Sequence, residues 1–314
     1  MVDGSVYVLT VNGVRDLASS PNAIATNTQT QFTYGGLRAY YRFEEGSGTT
    51  TIDASGNGLT GTLAGSPLPT WVTPGKVGAA ALDFPGNSPT KVDLGNPTLL
   101  RLTGPMTIAA WVWPDSLSDN GRIITKGGGS GNRGWSLNVE SSGAWALQIA
   151  VNSTTLTSLQ VAGVPLNAWT HVAGVYDPSG TPSLKLYTNG ALAGAVTAGV
   201  PAAQYNSGMN VSIGARADGT TRWNGKIDEL RVYARALSGA EIAVLHQQPV
   251  IPPVSLSPIL VSNKLILNWT SPGQLQSAPA VTGVYANITP APSPPYTSSI
   301  TQVENRFFRL LATP

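Results

Sequence analysis

The chain is divided into short runs in which apolar and polar residues alternate with period two, each closed by Gly, Pro, Asn or Ser. From Gly36 to about Pro249 these runs are LRAYYRF, AALDF, KVDLG, MTIAAWVW, RIITK, WSLNV, AWALQIAV, AWTHVAGVY, SLKLYTNG, NVSIG and GKIDELRVY. Short alternating runs at this spacing predict the strands of a β-sandwich or barrel. In MTIAAWVW both faces are apolar, with Ile108, Ala110 and Val112 on one and Ala109, Trp111 and Trp113 on the other. That pattern predicts a central strand covered on both sides and makes Trp111 a core residue. YTNGALAG sets Asn189-Gly190 between two strands, the pairing that a two-residue hairpin with positive φ at both positions selects.

One stretch breaks the period. ALSGAEIAVLHQQP has Ser238 and Glu241 at capping-box spacing, Ile242 and Leu245 three apart, and Pro249 as a stop, which predicts a single helix with His246 exposed at its end. The flanks differ from the middle. SVYVLTVNGV predicts a strand through Val6, Val8 and Thr10 and a turn at Asn12-Gly13, and a second strand is expected around Gln31 to Tyr34. Two or three strands cannot bury a core of their own. After the helix, PVIPPVSLSP reads as a semi-rigid proline-rich linker. The remainder, with alternating Leu265, Leu267 and Trp269 and a terminal strand at Phe307 to Leu311, reads as a small all-β module. The expected division is therefore 1–35, 36–249 and 250–314.

Composition strengthens the all-β reading. Charged residues are only 11% of the chain, against roughly 25% in an average domain. Ser, Thr, Asn and Gly supply the polarity instead, which favours strands and turns over charged surface helices. The net charge is +2 and no basic run interleaves with aromatics, so neither nucleic acid nor an anionic membrane is an expected partner. There is no cysteine, which leaves core burial, helped by a bound ion, to hold the fold. No stretch approaches the roughly 18 apolar residues of a membrane span, and the first residues lack the features of a signal peptide. Export of the protein would need a signal upstream of residue 1.

Several phrases, in order, resemble the laminin-G-like jelly-roll modules of the concanavalin A-like superfamily, especially those of large secreted bacterial proteins. They are AYYRFEEGSGTTTIDASGNGLTGTL, GKVGAAALDF, TIAAWVWPDSL, NAWTHVAGVYD, KLYTNGAL and WNGKIDELRVYARALSGAEI, spanning residues 37 to 247. The resemblance implies a jelly-roll β-sandwich, while function stays open because this sandwich hosts lectins, carbohydrate-binding modules, adhesion domains and glycosidases. The N-terminal LTVNGVRDLA resembles the closing strands of bacterial Ig-like domains, which implies a truncated Ig-like domain over 1–35 and neighbouring domains on the same polypeptide. The C-terminal segment resembles small β-modules that close secreted bacterial proteins.

DASGNGLTG, residues 53 to 61, is the candidate metal loop. Calcium takes six to eight oxygens from carboxylates, carbonyls and amides, and the loop offers Asp53, Ser55, Asn57 and turn-forming glycines but no second carboxylate. In the laminin-G-like pattern the first and last strands are neighbours, so the second acid is expected from WNGKIDELRVY. Simple alternation puts Asp228 on the face of Leu230 and Val232, and an acid beside core residues is costly unless an ion or hydrogen bonds satisfy it. Asp53, Asn57 and Asp228 are therefore the expected structural Ca2+ site. The alternative is an Asx turn at Asp53 and backbone N–H bonds to Asp228. EF-hand spacing is absent.

No catalytic residue is assigned. KGGGSGNRGW lacks a phosphate-loop pattern and reads as a hairpin loop, the two histidines cannot form a His-x-x-x-His zinc pair, and no G-x-S-x-G elbow precedes a helix. Glycosidase chemistry needs two carboxyl groups facing each other across a cleft. The E-x-D-x-E motif is missing, Glu44-Glu45 and Asp228-Glu229 are adjacent, and Asp83 and Asp93 lie on strands that could pair. Sugar binding needs a flat aromatic and hydrogen-bonding side chains. Trp71, Trp111 and Trp169 fall in phrases the family shares and read as packing residues. Trp135, Trp145 and Trp223, with Arg133 and Arg222, are the ligand-binding candidates, each indole weighed equally against core packing. The expected function is a non-catalytic, extracellular glycan-binding or adhesion module of a larger protein. A polysaccharide hydrolase or lyase and a structural spacer are the alternatives.

Overall fold

The computed structural model describes residues 35–117 and 120–247, together with the segments 6–11, 28–33, 256–261, 264–269, 273–278, 286–289, 292–299 and 307–312. In chain order the first strands are β1 Val6–Val11, β2 Thr28–Thr33, β3 Leu37–Tyr41, β4 Thr50–Thr51, β5 Gly61–Ala64 and β6 Thr70–Val72. They are followed by β7 Ala81–Pro85, β8 Lys91–Asp93, β9 Met106–Pro114, β10 Arg122–Lys126, β11 Trp135–Glu140 and β12 Ala144–Ala150. Next come β13 Leu156–Ala162, β14 Thr170–Asp177, β15 Ser183–Thr188, β16 Ala191–Val196, β17 Val211–Ile213, β18 Asn224–Tyr233 and the helix α1 Gly239–His246. The last six strands are β19 Leu256–Val261, β20 Lys264–Trp269, β21 Gly273–Ala278, β22 Ala286–Asn287, β23 Tyr296–Ser299 and β24 Phe307–Ala312.

Two sheets make a jelly-roll sandwich between β3 and β18. One runs in the order β13-β12-β11-β10-β17-β8-β5-β4. The other runs β16-β15-β14-β9-β18-β7-β6, with β3 paired to the end of β18. Their facing sides supply the main core, which includes Ile108, Val112, Leu137, Leu147, Val172 and Leu186. Gly174 on β14 is required by this packing, because a Cβ there would stand 2.8 Å from Leu147 Cδ1 of the opposite sheet. β9 lies between β14 and β18 and is covered on both sides, as its two apolar faces predict. The hairpin from β15 to β16 turns at Asn189 (φ 49°) and Gly190 (φ 81°), as expected.

The helix forms as the capping box dictates. Ser238 Oγ accepts from Glu241 N, and Glu241 Oε2 accepts from Ser238 N at 2.8 Å, so each satisfies a donor the first turn leaves open. Ile242 and Leu245 press onto Ala109, Ala173, Val175, Tyr187 and Tyr233, sealing the outer face of the β14–β9–β18 sheet. His246 is half-buried, not an exposed end residue: its ring lies 5.3 Å from that of Trp111 and 5.9 Å from that of His171.

A bulge in β18 overturns one expectation. Asp228 opposes Trp111 and Arg231 opposes Ala109, so three steps on β18 match two on β9. The extra residue is Glu229, at φ 53°. Simple alternation therefore fails: Ile227, Leu230 and Val232 face the core, while Asp228, Arg231 and Tyr233 share the outer face with Trp111, Ala109 and Thr107.

β1 and β2 form an antiparallel pair, and the turn expected at Asn12-Gly13 lies outside the described residues. At the other end β19-β20-β23 and β22-β21-β24 form two three-stranded sheets, with Leu267, Trp269 and Leu275 in a small core of their own.

Candidate functional site

The outer face of the sheet containing β10, β11 and β12 is polar. Cross-strand pairing sets Thr125, Ser136, Gln148 and Ser158 in one row, and Asn138 and Glu140 follow Ser136 along β11. Ser136 Oγ lies 2.9 Å from Asn138 Oδ1 and 3.2 Å from Gln148 Oε1. Asn138 Nδ2 and Gln148 Nε2 both donate to Glu140 Oε1, at 2.7 and 3.0 Å, which closes the four side chains into a ring. Networks of this kind fix rotamers and hold polar groups ready for a ligand.

Beside this ring Arg122, Arg133 and Arg216 line a slot with Thr125, Ser136 and Gln148. Its internal volume is about 10 Å3, room for one water-sized group. The three arginines come from β10, the β10–β11 loop and the β17–β18 loop. Gly127 and Gly134 let the β10–β11 hairpin close, since a Cβ on Gly134 would stand 1.6 Å from Lys126 O. Arg133 N donates to Ser153 O at 3.0 Å, tying this loop to the β12–β13 turn. Arg216 sits on a tight turn in which its N donates to Thr220 O at 3.0 Å and its carbonyl accepts from Gly219 N at 2.8 Å. Asp218 Oδ1 braces that turn by accepting from Thr220 N and Oγ1. Burial would raise the Asp218 pKa, but these bonds, aided by the charges of Arg216 and Lys91, hold it below the usual carboxylate range. On the core side of β10, Lys126 Nζ donates to Asn96 Oδ1 at 2.6 Å and Met209 O at 2.9 Å. Burial and the charge of Arg101 pull its pKa down to about 8.

The ligand-binding candidates divide. Arg133 lines the slot, but Arg222 turns back on its own loop, with Nε donating to Gly219 O at 3.1 Å. Trp135, Trp145 and Trp223 are core residues, 1%, 1% and 2% exposed, so none offers a face to a sugar ring. The reason is period two: Trp135 alternates with Leu137 and Val139, and Trp145 with Leu147 and Ile149, all pointing between the sheets. That signal was already present in WSLNV and AWALQIAV. Arg122 and Arg216 were not anticipated, because they stand in separate runs that only the sheet order brings together.

The residues expected to share calcium do not fit a cation. Asp53 Oδ1 accepts from Tyr40 N and Ser55 N, both at 2.9 Å. Its Oδ2 accepts from Ser55 Oγ at 2.8 Å and Leu59 N at 3.1 Å. These four donors occupy the roughly four lone-pair directions of a carboxylate. Burial would raise the Asp53 pKa, yet the bonds from Ser55, Tyr40 and Leu59 hold it low. Asn57 directs Nδ2, a donor, at Leu37 O and Arg38 O, at 3.0 and 3.1 Å. Asp228 belongs to another loop: its Oδ2 accepts from Lys76 N at 2.8 Å and Val77 N at 2.9 Å, and it shares no partner with Asp53. Among the described residues no group of three or more His, Cys, Asp or Glu side chains is placed to hold a metal.

Asp93 and the histidines are engaged within the fold. Asp83 and Asp93 do not pair, because β7 and β8 lie in different sheets, and Asp93 Oδ1 accepts from Gly95 N and Asn210 Nδ2. His171 packs edge-on against Trp111 at 5.4 Å, with Lys76 Nζ 4.4 Å from the same ring. Burial, then the charges of His246 and Arg231, push the His171 pKa down to about 3, so it is neutral at pH 7. No helix among the described residues is long and apolar enough to cross a membrane.

Comparison with known proteins places these features in a family. A laminin-G-type model described as the concanavalin A-like lectin/glucanases superfamily matches residues 86–243. Domain 4 of AbnA, a GH43 extracellular arabinanase from Geobacillus stearothermophilus solved in complex with arabinotriose, superposes with TM-score 0.51 at 22% identity, over 67% of this chain and 98% of that one. The binding domain of Paraclostridial Mosquitocidal Protein 1 gives TM-score 0.54 at 14% identity, over 80% of this chain and 63% of that one. At these identities the two likenesses establish the fold. Adhesion G-protein coupled receptor V1 of Danio rerio is 26% identical over 183 residues, 55% of this chain and 3% of the receptor. The chain thus spans a small fraction of that curated relative.

Proposed function

Because the chain belongs to the concanavalin A-like lectin/glucanases superfamily, we propose that it is an extracellular glycan-binding module without catalytic chemistry of its own. The observation that carries this reading is the ring of Ser136, Asn138, Glu140 and Gln148 beside an arginine-lined slot, on the sheet face that α1 does not cover. Glu140 and Gln148 are partly exposed and suit the hydroxyls of a sugar, while buried Ser136 and Asn138 hold their rotamers. The carboxylates support binding over hydrolysis, because Asp53, Asp93, Asp228 and Glu229 are each held by donors. The complex of the AbnA domain with arabinotriose, and the adhesion receptor relative, lend weight to a glycan ligand and an extracellular setting.

The test is retention of the full chain on a panel of neutral and acidic polysaccharides. At least one should retain it, with Gln148→Ala weakening retention and Trp113→Ala, on the opposite sheet, leaving it intact. Passage through every column, or retention that depends on Trp113 and not Gln148, overturns the reading.

A further inference from the structure

The two sheet orders of the sandwich end on β13, β4, β16 and β6, and a bare sheet edge is a template for another strand. Three of these ends are blunted. β4 and β6 hold two and three residues, and β16 carries a register shift against β15 between Leu186 and Tyr187. β13 has none of these devices. Its seven residues, LTSLQVA, pair with β12 in unbroken register from Leu156 opposite Ala150 to Ala162 opposite Ala144. It holds no proline, and from Ser141 to Tyr176 the chain has no Asp, Glu, Lys or Arg. Among the described residues no backbone hydrogen bond reaches β13 from its far side, where the Thr157 hydroxyl donates to Gly199 O and so fastens a neighbouring turn through a side chain.

We propose that β13 is the contact through which two copies of the chain associate, antiparallel about a two-fold axis at Leu159, so that their sheets merge into one. A second copy is the occupant because the strand reads well against itself. A two-fold contact sets a surface against its own duplicate, so any charge there would meet its like. This edge has none. With Leu159 opposite Leu159, Ser158 falls opposite Gln160, Thr157 opposite Val161 and Leu156 opposite Ala162. Leu159 and Val161 pack on the core, whereas Ser158 shares the polar outer face with Gln148 and Ser136. Each side chain therefore meets its own kind across the axis. Ser158 Oγ has no hydrogen-bond partner in its own chain, and the Gln160 amide of the second copy, directly across, supplies one. The row Thr125, Ser136, Gln148 and Ser158 then runs on through Gln160, Ala146 and Asn138 of the second copy. Two polar faces become one.

The experiment is sedimentation of the full chain over a range of concentrations. The average mass should climb from one chain to two and stop there. Gln160→Lys, which adds a charge to an exposed position of the edge, should hold the protein at one copy with its melting temperature unchanged. Ala195→Lys, on the β16 edge, should leave association intact. Because the chain has no cysteine, Ser158→Cys and Gln160→Cys report the register: mixed under oxidising conditions, they should form a disulfide dimer several-fold faster than either variant alone. This pair decides the matter if the lysine unsettles the strand. A single mass at every concentration overturns the proposal. So does growth beyond two copies, which a closed two-fold contact forbids. A dimer that survives Gln160→Lys, or that is lost in Ala195→Lys instead, places the contact elsewhere and also overturns it. Equal cross-linking in mixed and unmixed samples overturns the axis at Leu159.

Discussion

Glu229 and Arg231, two residues apart on β18, meet at 2.5 Å between Oε2 and Nη2 at the bulge. The Tyr40 hydroxyl donates to the same Glu229 oxygen at 2.5 Å, and its ring lies 4.1 Å below the guanidinium. Both charged side chains are buried. Removing one partner of such a pair strands the other. Glu229→Gln should therefore cost about 3–5 kcal/mol in urea unfolding, and adding Arg231→Met should recover part of that loss. A loss under about 1 kcal/mol, the range of an exposed pair, would show that water screens it.

Asp228 makes stability depend on pH. Burial, followed by the charges of Glu229 and Glu44, outweighs the bonds from Val77 and Lys76 and raises its pKa to about 8. The folded state then holds a proton that the unfolded chain releases near pH 4. The resulting stabilisation is complete below about pH 4 and is lost as pH rises toward 8. Asp228→Asn keeps an acceptor for the two amides and carries no charge, so its unfolding free energy should fall less over this window. Parallel pH profiles for the two proteins would refute the shift.

Asp53 offers a direct check on calcium. With all its lone pairs engaged, EDTA should leave the melting temperature of the chain unchanged. Asp53→Asn replaces two acceptor sites by donors facing donors and should cost about 2–4 kcal/mol. A calcium-dependent rise in melting temperature that Asp53→Asn abolishes would restore the cation site.

Trp145 separates core from site. Trp145→Ala should lower stability by about 3–5 kcal/mol while the folded fraction keeps its affinity for glycan. Loss of affinity at unchanged stability would return this indole to the ligand.

The parts of the fold that were legible are those whose alternation is long and whose ends carry strong turn chemistry. β9, β14, β18, the Asn189-Gly190 turn and the α1 capping box all met both conditions. β13 was missed because it is an edge strand whose LTSLQVA sequence buries only Leu159 fully, and β4, β5 and β6 because two to four residues hold too little pattern. The bulge left no mark in KIDELRV: nothing in the residue types forecasts a glutamate at positive φ, and one extra residue was enough to move Asp228 to the opposite face. At the candidate site Arg133 stood out in its glycine-rich loop. Arg122 and Arg216 needed the sheet order, which alternation does not encode.

The pairing of Leu37 with Tyr233 sets both ends of the sandwich at one corner, with Arg235 Nε donating to Gly35 O across them. Force applied at the two ends will load the β3–β18 ladder rung by rung, in the manner of a zipper, where resistance to force is weakest. Along the C-terminal lead stands α1, clasped by Arg235 to Glu241 at 2.7 Å, so the helix must peel away before the last strand feels the strain. Under tension the helix is thus a mechanical fuse, and force spectroscopy should record its release as a small extension ahead of the main rupture.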